Sequence, residues 1–349
     1  MQASPSFDII CIGSAIHDVF VNLPDTDAAF VRSNHLILSL GAKINVDYPT
    51  VEVGGGGTNS AVNFALQGLK TGILSRIAQD EAGSSIAQRL AQRGVETSLL
   101  QKDDSAEAKT GTSIILNVPG KDRTVLVNRG VSHQLDFDNL DWERLKQAKW
   151  IYVASFGSRS PDADFIRLGD FAVANGIHIA FNPGMEQIKR GAKALGRMIT
   201  DAQILIMNLT EAALLTESSP KDRVTTIVER LKALGPKLVV ITNGRNGVFA
   251  AMDTGERYFV APPTVPIVCT LGAGDAFGST VTASIIRDGW DLPKALERAA
   301  MNAALVVQHP GAQIGIQNLD ALDEQAKSAG IQVQELSPRQ NRQPEPTAG

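Results

Sequence analysis

Five short apolar runs set the frame of this chain: Asp8 to Gly13, Trp150 to Ala154, Ile177 to Phe181, Ala202 to Met207 and Lys237 to Thr242. They do not alternate apolar with polar residues, as a strand with one wet face would. A near-continuous apolar stretch of this length is what a strand covered on both faces requires. The last four runs are separated from one another by segments of helical length, and β-α alternation builds a parallel sheet with helices on both sides. Crossover helices are expected at Asp162 to Asn175, Gln187 to Thr200 and Asp222 to Leu234. The last is followed by Gly235-Pro236, which stops a helix ahead of the next strand. The fold class that follows is α/β, a doubly wound, mainly parallel sheet flanked by helices.

Two segments break the alternation. From Val19 to Val53 there is no helical period, and β-branched residues are scattered between Pro24 and Pro49. Further on, Thr112 to Val118 and Arg123 to Asn128 flank Pro119-Gly120-Lys121-Asp122, the residue types of a hairpin turn. A small β-sheet lid, from segments near 19–53 and 112–128, is therefore expected on one edge of the main sheet, within a single domain spanning 1–336. The tail 337–349 holds three prolines and almost no apolar side chains, the composition of a disordered end.

Composition narrows the partners. At 349 residues with 43% hydrophobic and 20% charged side chains, the chain can bury a substantial core, and it has no apolar run long enough to span a membrane. A net charge of −4 provides no broad positive field, so neither nucleic acid nor an anionic membrane is an expected partner. The two cysteines, Cys11 and Cys269, cannot build a disulfide framework or a four-ligand zinc site, and the first residues lack the basic start of a secretory signal. A small-molecule partner and a cytoplasmic location are expected.

Two glycine-rich segments carry the chemistry. In Cys269-Thr270-Leu271-Gly272-Ala273-Gly274-Asp275, a turn opens a helix that continues through Val281 to Ile286. The small residues Gly272, Ala273 and Gly274 leave backbone N–H groups uncovered at a helix N-terminus, a place where a phosphate group can sit. Asp275 then falls in the first turn, either as a plain capping carboxylate or as a reactive one. In Gly54-Gly55-Gly56-Gly57-Thr58-Asn59 four glycines lead into an alanine-rich helix, which makes either a tight hinge or a turn that a substrate approaches closely.

Taken in this order, and together with Asn208-Leu209-Thr210-Glu211 and Thr242-Asn243-Gly244-Arg245-Asn246-Gly247, the two segments resemble the ribokinase-like (PfkB) family of carbohydrate and nucleoside kinases, from about Asp8 to Gln317. The resemblance implies an ATP-dependent kinase that moves the γ-phosphate to a hydroxyl of a sugar or sugar-like substrate. It makes Asp275 the base and Gly272, Ala273 and Gly274 the anion hole. Asp18, Gly54, Gly55, Gly56, Gly57 and Asn59 become the substrate side, with Arg123, Asn128 and Arg129 able to reach in from the hairpin. Asn208, Thr242, Gly244, Gly247 and Gly311 fall to ATP, and Asn208 with Glu211 to magnesium and its water shell. Without the resemblance, Glu211 behind Asn208 is equally a capping arrangement, and Thr242 to Gly247 an ordinary turn.

Three departures from the family pattern carry weight. Ile16 stands where an asparagine is frequent, and Gly56 where ribokinases proper carry lysine, which argues against ribose itself. Cys269 stands where the family's usual motif begins with an aspartate beside a monovalent cation; a thiol is a poor ligand for so hard an ion, so dependence on such a cation is not expected. A nucleoside kinase, and a catalytically silent metabolite-binding regulator on the same fold, are the alternatives. A homodimer paired through the lid is the expected assembly.

Overall fold

Every one of the five apolar runs is a strand in the computed structural model, which describes residues 6–26, 29–32, 35–118 and 123–336. They are Phe7–Ile12, Ala148–Val153, His178–Phe181, Ile204–Asn208 and Leu238–Thr242. With Thr71–Leu74 on one edge they lie in parallel, and Val248–Met252, Arg257–Val260 and Val333–Glu335 extend the other edge antiparallel to a sheet of nine strands. Their apolar character follows from having a core on each side. Ile10 and Ile12 point into one, with Phe165 and Leu205. Ile9 and Cys11 point into the other, with Phe64 and Val281.

Two of the three crossover helices form close to the expected bounds, as Pro161–Ala174 and Val224–Lys232. The third does not. Residues 187–200 are split among three single-turn helices, Met185–Ile188, Ala192–Leu195 and Arg197–Thr200. Gly191 and Gly196 separate them with φ of +79° and +49°, a left-handed backbone that ends an α-helix wherever it occurs.

The lid is a separate four-stranded sheet in the order Thr124–Asn128, Gly111–Asn117, Ile16–Asn22, Thr50–Gly54. The expected hairpin is present, with Thr124 opposite Leu116; its turn lies outside the described residues, as does the tail 337–349. A second small hairpin, Ala29–Arg32 with His35–Leu38, lies between the two outer lid segments of the 19–53 region. The chain passes from Phe7–Ile12 to Ile16–Asn22 through only Gly13, Ser14 and Ala15. That short connection holds the lid over the carboxyl ends of the parallel strands, the edge at which ligands bind in open α/β sheets.

Candidate active site

The glycine segment is a strand end and a helix start pressed onto the main sheet. Gly54 closes the lid strand, and Gly56–Leu66 is helical, so Gly55 is the cap between them. The backbone N–H groups of Gly57 and Thr58 donate to the Ser14 carbonyl at 3.1 and 3.4 Å. Gly54 cannot carry a side chain, because a Cβ there would overlap the carboxylate of Asp18. Asp18, in the neighbouring lid strand opposite Glu52, is 6% exposed and accepts a hydrogen bond from the Ser113 hydroxyl. Burial, reinforced by the nearby Glu52 and opposed by that hydrogen bond, pushes its carboxyl up to about 6.

A second helix starts at the same place. Gly272, with φ of +79°, caps Ala273–Asp288 from a position so close to Ala312 that no Cβ would fit. Its first-turn N–H groups have no partner within the helix, and the space beside Gly274 is open. Asp275 follows in that first turn. Asn59 Nδ2 donates to Asp275 Oδ2 at 2.7 Å, while Asp275 Oδ1 faces Gly56. Burial holds the Asp275 carboxyl above its ordinary range, against the opposing pull of the Asn59 hydrogen bond. The Tyr152 hydroxyl, fully buried and accepting from Asn182 Nδ2 at 3.2 Å, lies behind the same helix beside Gly278.

On the other side of Gly272–Gly274 opens a cavity of about 450 Å³, lined by Thr242, Gly244, Val260, Ala273, Gly274 and Phe277 among others. Its volume and mostly apolar walls are those of a small-molecule site. Asn208 and Thr242 stand opposite each other at the ends of adjacent strands. Asn208 and Glu211 form a capping box: Glu211 N–H donates to Asn208 Oδ1 at 2.9 Å, and Asn208 N–H to Glu211 Oε2 at 3.0 Å. The half-buried Glu211 carboxyl is raised by burial, with Asp275 adding to the effect.

Of the expected nucleotide-side residues, Thr242 and Gly244 line the cavity, while Asn208 stands at a neighbouring strand end and Gly247 and Gly311 sit elsewhere. Gly247 packs beneath the Phe259 ring. Gly311 lies against Glu52 and Phe20 of the lid. Neither lines the cavity.

The model of the pfkB family of carbohydrate kinases matches residues 8–319 of this chain. The chain belongs to that family. It is a carbohydrate kinase, a phosphotransferase, with the ribokinase-like fold. Among curated relatives, the 5-dehydro-2-deoxygluconokinase of Geobacillus thermodenitrificans is 26% identical over 287 residues, covering 79% of this chain and 84% of its own. The 5-dehydro-2-deoxygluconokinase of Clostridium tetani is 29% identical over 276 residues, covering 74% and 79%. Among solved structures, the Arabidopsis thaliana ribokinase complexed with ribose and ATP superposes with a TM-score of 0.75 at 21% identity, covering 92% of this chain and 99% of its own.

The structure of this PfkB kinase also shows what the sequence left out. Gln313 reaches Asn59, and Tyr152 underlies the base helix; a lone tyrosine inside the run Trp150–Ala154 was the available signal, since a buried hydroxyl needs a partner. Arg123, at the start of the hairpin's second strand, donates from Nη1 to Thr270 Oγ1 at 2.6 Å. Cys269 is buried in a small apolar cluster with Phe20 and Ile115 of the lid. The lid therefore touches the loop that leads into Gly272 directly.

Proposed function

We propose that this kinase transfers the γ-phosphate of ATP, with magnesium, to a hydroxyl of a sugar or sugar-like acid. The observation that supports this most strongly is Asp275, held by Asn59 where two helix N-termini converge, with the glycine turn on one side and the cavity on the other. A hydroxyl lodged between Gly56 and Asp275 would give its proton to the carboxylate as its oxygen forms the new P–O bond, while the bond from the γ-phosphorus to the β,γ-bridging oxygen breaks and ADP leaves. The N–H groups at the start of Ala273–Asp288 meet the negative charge of the transferring group. The cavity and the open space beside Gly274 fit a nucleotide with its phosphates toward that helix. Bound ATP would supply the phosphoryl group, and magnesium carried on its phosphates would offset their charge. Among the described residues no cluster of three His, Cys, Asp or Glu side chains could cage a metal. Asn208 and Glu211 are oxygen donors that fit an ion arriving on phosphates and keeping its waters.

ATP consumption over ribose, hexoses, 5-dehydro-2-deoxygluconate, other sugar acids and nucleosides tests the reading; turnover with none of them would overturn it. A nucleoside alone as acceptor would move the enzyme to the nucleoside branch. Glu211→Gln should raise the magnesium needed for half-maximal rate several-fold while leaving thermal stability nearly unchanged. Superimposable magnesium titrations would reduce Glu211 to its role in the helix cap.

The Cys269 thiol lies in an apolar cluster with Phe20 and Ile115 of the lid. We infer that no monovalent cation is needed here, the loop being held by packing and by the N–H groups of Val268 and Cys269, which donate to Val307 O at 2.8 and 3.1 Å. Rates in potassium, sodium and tetramethylammonium at equal ionic strength should agree within about twofold; activation by potassium several times larger would refute this. We further propose a homodimer built on the exposed edge strand Thr124–Asn128, whose Leu126 is 54% exposed, with a monomer by light scattering as the contrary result. A cytoplasmic location suits its two free cysteines, Cys11 and Cys269.

A further inference from the structure

Asp275 is the end of a directed chain of hydrogen bonds. Asn59 Nδ2 donates to Asp275 Oδ2 at 2.7 Å, and Gln313 Nε2 donates to Asn59 Oδ1 at 3.1 Å. Asn59 is 5% exposed and so has little recourse to water. A carboxamide has a donor end and an acceptor end of nearly equal shape, and a rotation of half a turn exchanges them. An ionised carboxylate only accepts. A donor facing the Asn59 oxygen from the other side therefore makes one orientation of that amide satisfied at both ends and the flipped one repelled at both.

One helical turn below, the same three segments are tied again. Asn302 Nδ2 donates to Asn63 Oδ1 at 2.8 Å and to Thr280 Oγ1 at 2.9 Å, and the Gln317 N–H donates to Asn302 Oδ1 at 3.2 Å. Asn63, Thr280 and Asn302 are fully buried. The helix of the glycine turn, the helix of the base and the loop that carries Gln313 are thus locked in register, which fixes the upper chain in place.

We propose that Gln313 is a positioning residue for phosphoryl transfer: it orients the Asn59 amide so that Asp275 Oδ2 is held by a hydrogen bond and Oδ1, which faces Gly56, is the oxygen that takes the substrate proton. This rests on the reading of Asp275 as the base. The titratable groups packed around Asp275 are Tyr152 from the main sheet and Glu211 from the helix Leu209–Leu215. Asp18 stands across the glycine turn, and on the lid Arg123 is bonded to Thr270. None of them contacts Gln313 through a hydrogen bond on Asn59, so changing Gln313 acts on Asp275 through Asn59.

Gln313→Leu removes the donor, and Gln313→Glu keeps the shape while offering only an acceptor at neutral pH. In both, kcat should fall at least tenfold with the KM values for ATP and acceptor within about twofold of wild type. The acid limb of the kcat profile should move up by about one pH unit, since a freed Asn59 no longer holds the ionised base. Adding either change to Asn59→Leu should cost nothing further. Carboxyl ¹³C NMR of Asp275 in the free protein should show the same upward movement of its midpoint, and it needs no substrate. If wild type phosphorylates no acceptor, the kinase reading fails while the NMR still tests the link. An unmoved midpoint together with an unmoved kcat profile, or losses that multiply in the double variant, would overturn the role given to Gln313.

Discussion

Asp275→Asn should keep its ATP affinity and lose phosphoryl transfer by a factor of ~10² to 10⁴, the usual contribution of a well-placed general base. The substitution preserves shape and removes the ability to accept a proton. It also places an amide against Asn59 Nδ2, so one donor must turn away or face another. Saturating acceptor and single-turnover conditions separate this from weakened binding. A kcat within a few-fold of wild type would remove Asp275 from the chemistry and leave it as a helix-capping carboxylate.

Asp18→Asn should affect function and stability in opposite directions. The wild-type carboxyl is raised to about 6 by burial, above the value near 4 of an unfolded chain. Between those values the folded protein binds more protons than the unfolded one, so this group's contribution falls as pH rises through 4 to 6. Above pH 6 the buried charge lowers the stability of the free enzyme by about 1–3 kcal/mol. The asparagine variant should therefore melt higher than wild type at pH 7.5 and about equally at pH 4. Its acceptor KM should rise about ten- to a hundredfold, since hydroxyls lose hydrogen bonds to a charge worth ~1.5–3 kcal/mol. In wild type the same loss should set in as pH drops below about 6 and the carboxylate becomes a neutral acid. A lower melting point at pH 7.5 with unchanged acceptor KM would place Asp18 outside the substrate site.

What could be read from the sequence, and what could not, divides by distance along the chain. The strands were legible because each lies between two cores and so repeats no polar position: Ile9 to Ile12 are all fully buried. The glycine turn and the Gly272–Asp275 segment were legible because local backbone demands select small residues at fixed spacing. The crossover at 187–200 was misread because its apolar residues have helical spacing, while Gly191 and Gly196 interrupt it through backbone angles that composition does not display. Gly311, assigned to the nucleotide, stands beside Glu52 and Phe20 because the lid folds back across more than two hundred residues to meet it. Asn59 is likewise remote from both of its partners, 216 residues from Asp275 and 254 from Gln313. Asn59 and Asp275 sit in motifs that mark them, whereas nothing near Gln313 announces its link to either.

The contacts of Phe20 and Ile115 with Cys269, and of Arg123 with Thr270, join the lid sheet to the loop that leads into Gly272. A lid strand Ile16–Asn22 raised from this position would withdraw Phe20 from that loop. On the proposed function, ATP bound without an acceptor would then meet a loop lacking those contacts, and its hydrolysis in the absence of acceptor should be slow beside transfer.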